Sequence, residues 1–165
     1  MKHYALLIAA MMVISSCSPG QDELTLVVGT YTTGNSHGIY TLKLSLKTGD
    51  LVLLDSTAAD NPSYLAVTTG QNLVYAVHES GPASALSAFS YSGEIGNLVL
   101  PGRKENDCNL KPLWRIENPG SDPCLVAADP AGRYVVTADY SSGSVTFYGM
   151  EGNGIERQFT FTGSG

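Results

Sequence analysis

Hydrophobic and polar residues alternate along most of this chain with a period of two, which is the pattern of β-strands that bury one face. In residues 38–46, Ile39 and Thr41 fall on one side of an extended segment, whereas Tyr40 and Leu42 fall on the other. The other apolar segments are short, contain β-branched residues and are bounded by Gly, Pro, Asn or Asp. Outside the N-terminus no segment has helical spacing, so the pattern predicts an all-β protein.

The chain also repeats itself. Residues 61–79 align on residues 122–140 without a gap, so that Pro62 matches Pro123 and an acidic or amide residue precedes each proline. One more strand segment follows each copy, at 85–91 and at 143–149. A gapless repeat of this length indicates one structural unit that is used more than once.

The repeating unit has the size of one blade of a β-propeller, because four antiparallel strands fill roughly 50 to 60 residues. An earlier copy at 24–58 lacks the first of the four strands. A β-sandwich also has short strands and frequent turns, but it does not predict the gapless repeat. We therefore predict a β-propeller of four-stranded antiparallel blades over residues 25–165, with about two and a half to three blades of the four to eight that closed propellers contain. We expect the chain to be the N-terminal part of a larger protein, or one that ended early.

The N-terminus has the features of an export signal. Met1–Lys2–His3 precedes an apolar run at 4–14, which is too short to span a bilayer and ends at Ser15–Ser16–Cys17. We predict a lipoprotein signal peptide at 1–16, lipidation of Cys17, a tether at 17–24 and anchoring to the bacterial cell envelope. The alternative is an ordinary signal peptide in which Cys17 has no role.

Composition excludes some kinds of partner. The net charge is −6, charged residues are 15% of the chain, and no basic run is present, so nucleic-acid binding is not expected. Cys108 and Cys124 form either one disulfide or two separate buried thiols. No His, Cys or carboxylate cluster has ligand spacing, so neither a metal nor another cofactor is predicted.

Three segments carry a family resemblance. "VVGTYTTGNSHGIYTLKLSLKTGDL", "NPSYLAV" and "DPCLVAADPAGRYVVTADYSSGSVTFY" resemble the lactonase family of seven-bladed β-propellers, which includes bacterial 6-phosphogluconolactonases and fungal carboxy-muconate lactonising enzymes. The resemblance implies opening or closure of a lactone ring by His, Arg and a carboxylate in the central channel, without a metal. The family's His-x-His motif does not occur in this sequence, so the catalytic residues are expected beyond Gly165.

Polar and aromatic residues at strand ends are the candidates for lining the channel or its rim. These candidates are Tyr31, Ser63, Tyr64, His78, Glu79, Cys124, Asp139 and Tyr140. His78 and Glu79 are neighbours on a strand and so point to opposite faces, and a solvent-facing polar pair is the alternative interpretation. Tyr31 and Tyr140 fit packing between blades as well as substrate contact. Trp114 is expected to pack between the second and third blades.

Two functions fit these observations. The first is a lactonase-type hydrolase, similar to 6-phosphogluconolactonase, that takes a small lactone or a sugar-derived ligand. Export and the absence of a Lys/Arg cluster favour an unphosphorylated lactone. The second is a non-catalytic propeller, anchored in the envelope through its lipid, that serves for binding or protein interaction, because one fold can carry many functions.

Overall fold

A computed structural model describes residues 22–68, 70–92 and 109–163 of the chain. In these residues it has eleven β-strands and a single 3₁₀ turn at Gly81–Ala83. The strands form three antiparallel sheets, each built by neighbouring strands in chain order. The predicted all-β fold is therefore confirmed.

The first sheet has three strands in the order β1-β2-β3. These are β1 (Glu23–Gly29), β2 (Gly38–Ser45) and β3 (Leu51–Ala58). By register and order they correspond to the last three strands of the repeat. The prediction that this copy lacks its first strand is confirmed within the described residues.

The second sheet has four strands in the order β4-β5-β6-β7. These are β4 (Tyr64–Thr68), β5 (Leu73–His78), β6 (Ala85–Ser92) and β7 (Asn109–Glu117). Each residue of β5 is buried, because neighbouring sheets cover both of its faces. A strand in that position needs apolar side chains on both sides, which explains why the β5 sequence LVYAVH does not alternate.

The third sheet has the same architecture, in the order β11-β10-β9-β8. Its strands are β8 (Pro123–Ala128), β9 (Tyr134–Asp139), β10 (Ser144–Glu151) and β11 (Gly154–Thr162). In every sheet the pairing of the last two strands is interrupted by a register shift, at Thr41/Leu42, Ala88/Phe89 and Gly149/Met150. Such irregularities increase strand twist, which suits the twisted blades of a propeller.

The sheets stack face to face and share two apolar cores. The core between the first and second sheets includes Ile39, Val74 and Phe89. The core between the second and third sheets includes Tyr75 and Val126. Strands β4 and β8 lie beside each other and are here called the inner strands, whereas β1 takes the place of a second strand, like β5. This radial stacking is the arrangement of consecutive propeller blades.

Two close contacts fix how the blades meet. Gly29 on β1 lies against the Pro62 backbone, where an added Cβ atom would be 2.0 Å from the carbonyl oxygen. Trp114 on β7 packs on Tyr75, with ring centroids 6.1 Å apart, and its indole N–H donates to the Asn153 carbonyl of the third sheet. The predicted packing of Trp114 between the second and third blades is confirmed.

Some predictions from the sequence fall outside the described residues. The signal peptide at 1–16, Cys17, most of the tether at 17–24 and Cys108 are among them. Cys124 is described and its thiol is exposed, so the alternative in which this thiol is buried is wrong. The irregular start of β8 explains the exposure, because pairing with β9 shifts between Pro123 and Leu125. Of the part described, no helix has the length and apolar character needed to cross a membrane.

Candidate functional site

The loops at one end of the three sheets bring five polar residues together. Tyr31 follows β1, Asn61 and Ser63 precede β4, Glu79 follows β5, and Asp122 precedes β8. Antiparallel order places these connections at the same end of the sheets. We call Tyr31, Asn61, Ser63, Glu79 and Asp122 the rim cluster.

Asn61 holds the loops of the first and second sheets together. Its Oδ1 atom accepts hydrogen bonds from the Thr32 backbone N–H at 2.9 Å and from the Thr32 hydroxyl at 3.0 Å. Its Nδ2 atom donates to the Glu79 carbonyl at 3.2 Å and to the Ser80 hydroxyl at 3.3 Å. The amide therefore fixes the position of the backbone that carries Glu79.

Tyr31 and Glu79 form the main side-chain contact of the rim cluster. The Tyr31 hydroxyl donates to Glu79 Oε2 at 2.6 Å and so joins the first sheet to the second. This hydrogen bond is the largest cause of a raised pKa of the Tyr31 phenol, followed by partial desolvation and by the Glu79 charge. Tyr31 therefore remains a hydrogen-bond donor. With 53% of its surface exposed, it is linked to the next blade by a polar contact and not by buried packing.

Ser63 and Asp122 complete the rim cluster. The Ser63 hydroxyl is buried and has no hydrogen-bond partner in the described part of the chain. It nevertheless lies close enough to the Tyr31 phenol to oppose part of the rise in its pKa. Asp122 Oδ1 accepts from the Gly81 N–H at 2.7 Å, and its charge also raises the pKa of Tyr31.

His78 does not belong to the rim cluster, although Glu79 is its neighbour in the chain. Its side chain is 2% exposed. The ring nitrogens contact the Asp60 carbonyl and the Ser87 hydroxyl, both at 2.7 Å. The alternative interpretation of His78–Glu79 as a solvent-facing pair is therefore wrong for His78, since β5 is covered on both faces. As predicted from strand geometry, the two side chains point apart.

Asp139 lies in a buried network and not at the rim. Its Oδ1 atom accepts from Asn118 Nδ2 at 2.6 Å, and its Oδ2 atom accepts from the Ser144 hydroxyl at 2.8 Å. Asn118 Oδ1 in turn accepts from the hydroxyls of Thr137 and Tyr148. With both carboxylate oxygens engaged, Asp139 stabilises the junction of the second and third sheets.

The remaining candidates lie on or beside the inner strands and are exposed. Tyr64 begins β4 and Cys124 lies on β8, where its thiol donates to the Ala138 carbonyl at 3.7 Å. Tyr140 follows β9 and is 81% exposed. The Tyr140 backbone N–H donates to the Asp122 carbonyl of the rim cluster at 2.9 Å, while the side chains of these three residues remain accessible to a ligand.

Sequence reasoning missed Asn61, Asp122 and Asn118 as organising residues. The signal for the first two was present, because each precedes a proline at the same point of the repeat. Both adopt a left-handed backbone, with φ of 41° at Asn61 and 55° at Asp122. Asn and Asp tolerate this conformation better than other non-glycine residues. Asn118 has no matching signal, because its partners become its neighbours only after two sheets stack.

The rim cluster contains acceptors and donors suited to a small polar molecule. Among residues 22–68, 70–92 and 109–163, no group of three or more His, Cys, Asp or Glu side chains could hold a metal ion. The charged side chains of the rim cluster are the carboxylates of Glu79 and Asp122. Radial four-stranded blades define this protein as a β-propeller, and the polar residues at the mouth of the inner strands form its candidate ligand site.

Comparison with known proteins places this propeller in a family. Residues 25–165 match the model of the lactonase family, described as seven-bladed β-propellers. The chain belongs to that family. A 6-phosphogluconolactonase from Bacillus subtilis is 27% identical over 128 residues, which are 77% of this chain and 33% of the relative.

Solved structures agree with this assignment. A proposed 6-phosphogluconolactonase from Bacteroides fragilis has 35% identity and a TM-score of 0.72, and the match covers 90% of this chain and 39% of that one. A second, from Bacteroides uniformis, has 35% identity and a TM-score of 0.70 over 84% and 38% of the two chains. This chain therefore spans between a third and two fifths of the length of these relatives.

Proposed function

We propose that this chain forms part of a lactonase that hydrolyses an unphosphorylated sugar lactone at the mouth of the inner strands. Family membership and relatives named 6-phosphogluconolactonase support the lactone as substrate class. The observation that carries the proposal is the hydrogen bond from Tyr31 to Glu79, which leaves the second carboxylate oxygen of Glu79 available. A base beside a protonated donor is the pair that ester hydrolysis requires.

In the proposed reaction Glu79 acts as the general base, which differs from the expectation that the catalytic residues all lie beyond Gly165. Its Oε1 atom takes a proton from water, and the resulting hydroxide attacks the lactone carbonyl carbon. When the lactone binds, the Tyr31 hydroxyl turns from Glu79 Oε2 to the lactone carbonyl oxygen and donates its one proton there in a hydrogen bond as negative charge develops. The tetrahedral intermediate then collapses, the ring C–O bond breaks, and the ring oxygen receives the proton held by Glu79. The product is the open-chain hydroxy acid.

The charge of the rim cluster supports a neutral ring over a phosphorylated one. Glu79 and Asp122 place two carboxylates at the mouth, and Asp122 is close enough to influence the Tyr31 phenol. Like charges at short range repel a phosphate group, which carries nearly two negative charges at neutral pH. The same carboxylates accept hydrogen bonds from the hydroxyl groups of a neutral sugar.

The test is lactone hydrolysis by the full-length protein, followed by proton release at constant pH. We expect hydrolysis of glucono-δ-lactone to exceed that of its 6-phosphate, and Glu79→Gln to lower kcat by at least ~100-fold. Glu156→Gln, on the exposed strand β11, is the matched control and should retain full activity. If the protein hydrolyses neither of the two lactones, the proposal is overturned. If it binds a lactone without hydrolysing it, the non-catalytic alternative is favoured. Preference for the phosphate would overturn the substrate assignment alone.

We also propose that Cys17 is acylated and holds the protein on the bacterial cell envelope. The support is the sequence around Cys17, in which an apolar run ends at Ser-Ser-Cys. Metabolic labelling with an alkyne palmitate in the native host should mark the wild type and not the Cys17→Ala variant. Labelling at another residue, or a soluble unlabelled product with an intact Cys17, would contradict the anchor.

A further inference from the structure

A second cavity lies away from the rim cluster, between the first and second sheets. Its volume is about 380 Å³, and its lining comes from the end of β3, the loop after it, and strands β5, β6 and β7. The inner strands and the rim cluster contribute none of the described lining residues. Whatever occupies this cavity is therefore separate from a ligand at the mouth.

His78 and Ser87 face each other in this cavity with a defined proton arrangement. His78 Nδ1 lies 2.7 Å from the Asp60 carbonyl oxygen, which can only accept, so Nδ1 carries a proton. In the neutral ring Nε2 is then an acceptor, and the Ser87 hydroxyl donates to it at 2.7 Å. The lone pairs of Ser87 remain on the side away from the ring.

The surroundings favour the neutral form of His78. Burial is the largest cause that lowers the pKa of His78 below its usual value, and the positive charge of Arg115 acts in the same direction. The Asp60 carbonyl and carboxylate oppose this shift but do not reverse it. A neutral histidine that accepts a serine proton and is oriented through its other nitrogen is the arrangement that activates a nucleophile.

We propose that Ser87 is the nucleophile of a second hydrolytic site, that His78 is its base, and that the substrate is a small carboxylic ester with an apolar acyl group. Apolar side chains of Phe89, Leu113 and Trp114 line the cavity and match an acyl chain. Arg115 lines the same cavity and supplies positive charge for a developing oxyanion.

The reaction proceeds in two balanced steps. Ser87 Oγ attacks the ester carbonyl carbon while its proton passes to His78 Nε2, and the tetrahedral intermediate collapses as His78 returns the proton to the departing alcohol. The acyl group is then an ester on Ser87. Water attacks that ester while His78 takes its proton, and the departing Ser87 oxygen receives the proton as the carboxylic acid is released.

The corresponding position of the third sheet shows a different arrangement. Asp139 aligns with His78 in the repeat, and both of its carboxylate oxygens are occupied by Asn118 and Ser144. Asp139, Asn118 and Ser144 are thus hydrogen-bonded to one another in a buried network. In the second sheet the polar pair instead faces a cavity large enough for a ligand, which is why we assign chemistry to His78 and Ser87 and stability to Asp139.

The experiment is covalent labelling of the full-length protein with an alkyl fluorophosphonate, with the adduct located by peptide mass spectrometry. We expect an adduct on Ser87 of the folded wild type. Ser90→Ala, on the same strand, is the matched control and should keep the label, whereas Ser87→Ala should lose it. His78→Gln should slow labelling of Ser87 by at least ~100-fold.

Hydrolysis of p-nitrophenyl butyrate gives an independent measurement. It should fall to the background rate in Ser87→Ala, while lactone hydrolysis by that variant persists, so the two sites can be distinguished. Absence of a Ser87 adduct in the folded wild type would overturn the proposal, even if a variant failed to fold. Labelling of Ser87 at an equal rate in His78→Gln would overturn the role of His78.

Discussion

Asn61 and Asp122 occupy equivalent positions of the repeat and connect successive pairs of sheets in the same way. Asn61 accepts from Thr32 after β1 and donates to the Glu79 carbonyl after β5. Asp122 accepts from the Gly81 N–H after β5 and from the Ser141 hydroxyl after β9 at 2.6 Å. Each residue stands before a proline and has a left-handed backbone. We call Asn61 and Asp122 the connectors, because each repeat contributes one such residue that joins its blade to the neighbouring one.

Removal of one connector should destabilise the fold. Asn61→Ala deletes the hydrogen bonds to Thr32, Glu79 and Ser80 and places a less tolerant residue at positive φ. We expect the free energy of unfolding in urea to fall by about 1–3 kcal/mol. Asn35→Ala, in the exposed hairpin turn, should stay within about 0.5 kcal/mol of wild type. Equal losses in both variants would contradict the connecting role of Asn61.

A second prediction concerns the close approach of β1 to the Pro62 backbone. Gly29→Ala puts a methyl group onto the Pro62 carbonyl oxygen, which is backbone and cannot rotate away. The melting temperature should drop, with a loss of about 1–3 kcal/mol in stability. Gly154→Ala is the control, because its Cβ atom meets nothing nearer than 3.7 Å. If the two glycines tolerate alanine equally well, the first two blades do not meet as described.

Alkaline pH should destabilise the protein through Tyr148. Burial raises the pKa of this phenol from 10.0 to about 12, so the folded state keeps the proton that the unfolded state loses. The resulting stability is present below pH 10 and is lost progressively as the pH rises towards 12. Tyr148→Phe cannot ionise, so its denaturation midpoint should fall less between pH 9 and 11.5. If the denaturation midpoints of the wild type and of Tyr148→Phe fall equally over this pH range, Tyr148 is not the cause of the alkaline loss of stability.

Acid should act through His78 in the opposite direction. Its lowered pKa means that the unfolded state binds a proton more readily than the folded state does. The stability due to neutral His78 is therefore present above about pH 6.5 and is lost as the pH falls through the folded pKa. His78→Gln should show a smaller loss of stability between pH 7 and 5 than wild type. His37→Gln, changed in an exposed loop, should retain the wild-type loss, and a reversed ranking would exclude His78 as the cause.

Much of this fold can be predicted from sequence because its information is local and repeated. Alternation of side chains located the strands, and the match of Pro62 with Pro123 located the repeating unit. The repeat also predicted that the first sheet has only three strands, because its copy of the repeat lacks the first strand segment. Prediction failed for β5, where the first and third sheets cover both faces of the strand. The sequence alone does not show that this cover extends to His78 at the end of the strand, which is buried.

The site was only partly predictable, because its contacts cross from blade to blade. Tyr31 and Glu79 were both candidates, but nothing local indicates that residues 48 positions apart share a hydrogen bond. Asp139 resembled a rim residue because it ends a strand. Its burial depends on Asn118, which reaches it from the preceding connection. Register between sheets decides such pairs, and it is set by packing of the whole stack.

The two connecting residues, Asn61 and Asp122, also lead us to expect a definite order in which backbone amides exchange their protons with solvent. Asn61 and Asp122 both attach to the loop after β5, so the second sheet is held from two sides within these three blades. The second sheet cannot separate from the stack without breaking the hydrogen bonds of both Asn61 and Asp122. The first and third sheets are each held by only one of these two connectors. The amide protons of β5 should therefore exchange with deuterium last, after those of β3 and β11. The second sheet is then the part of these three blades that opens most slowly.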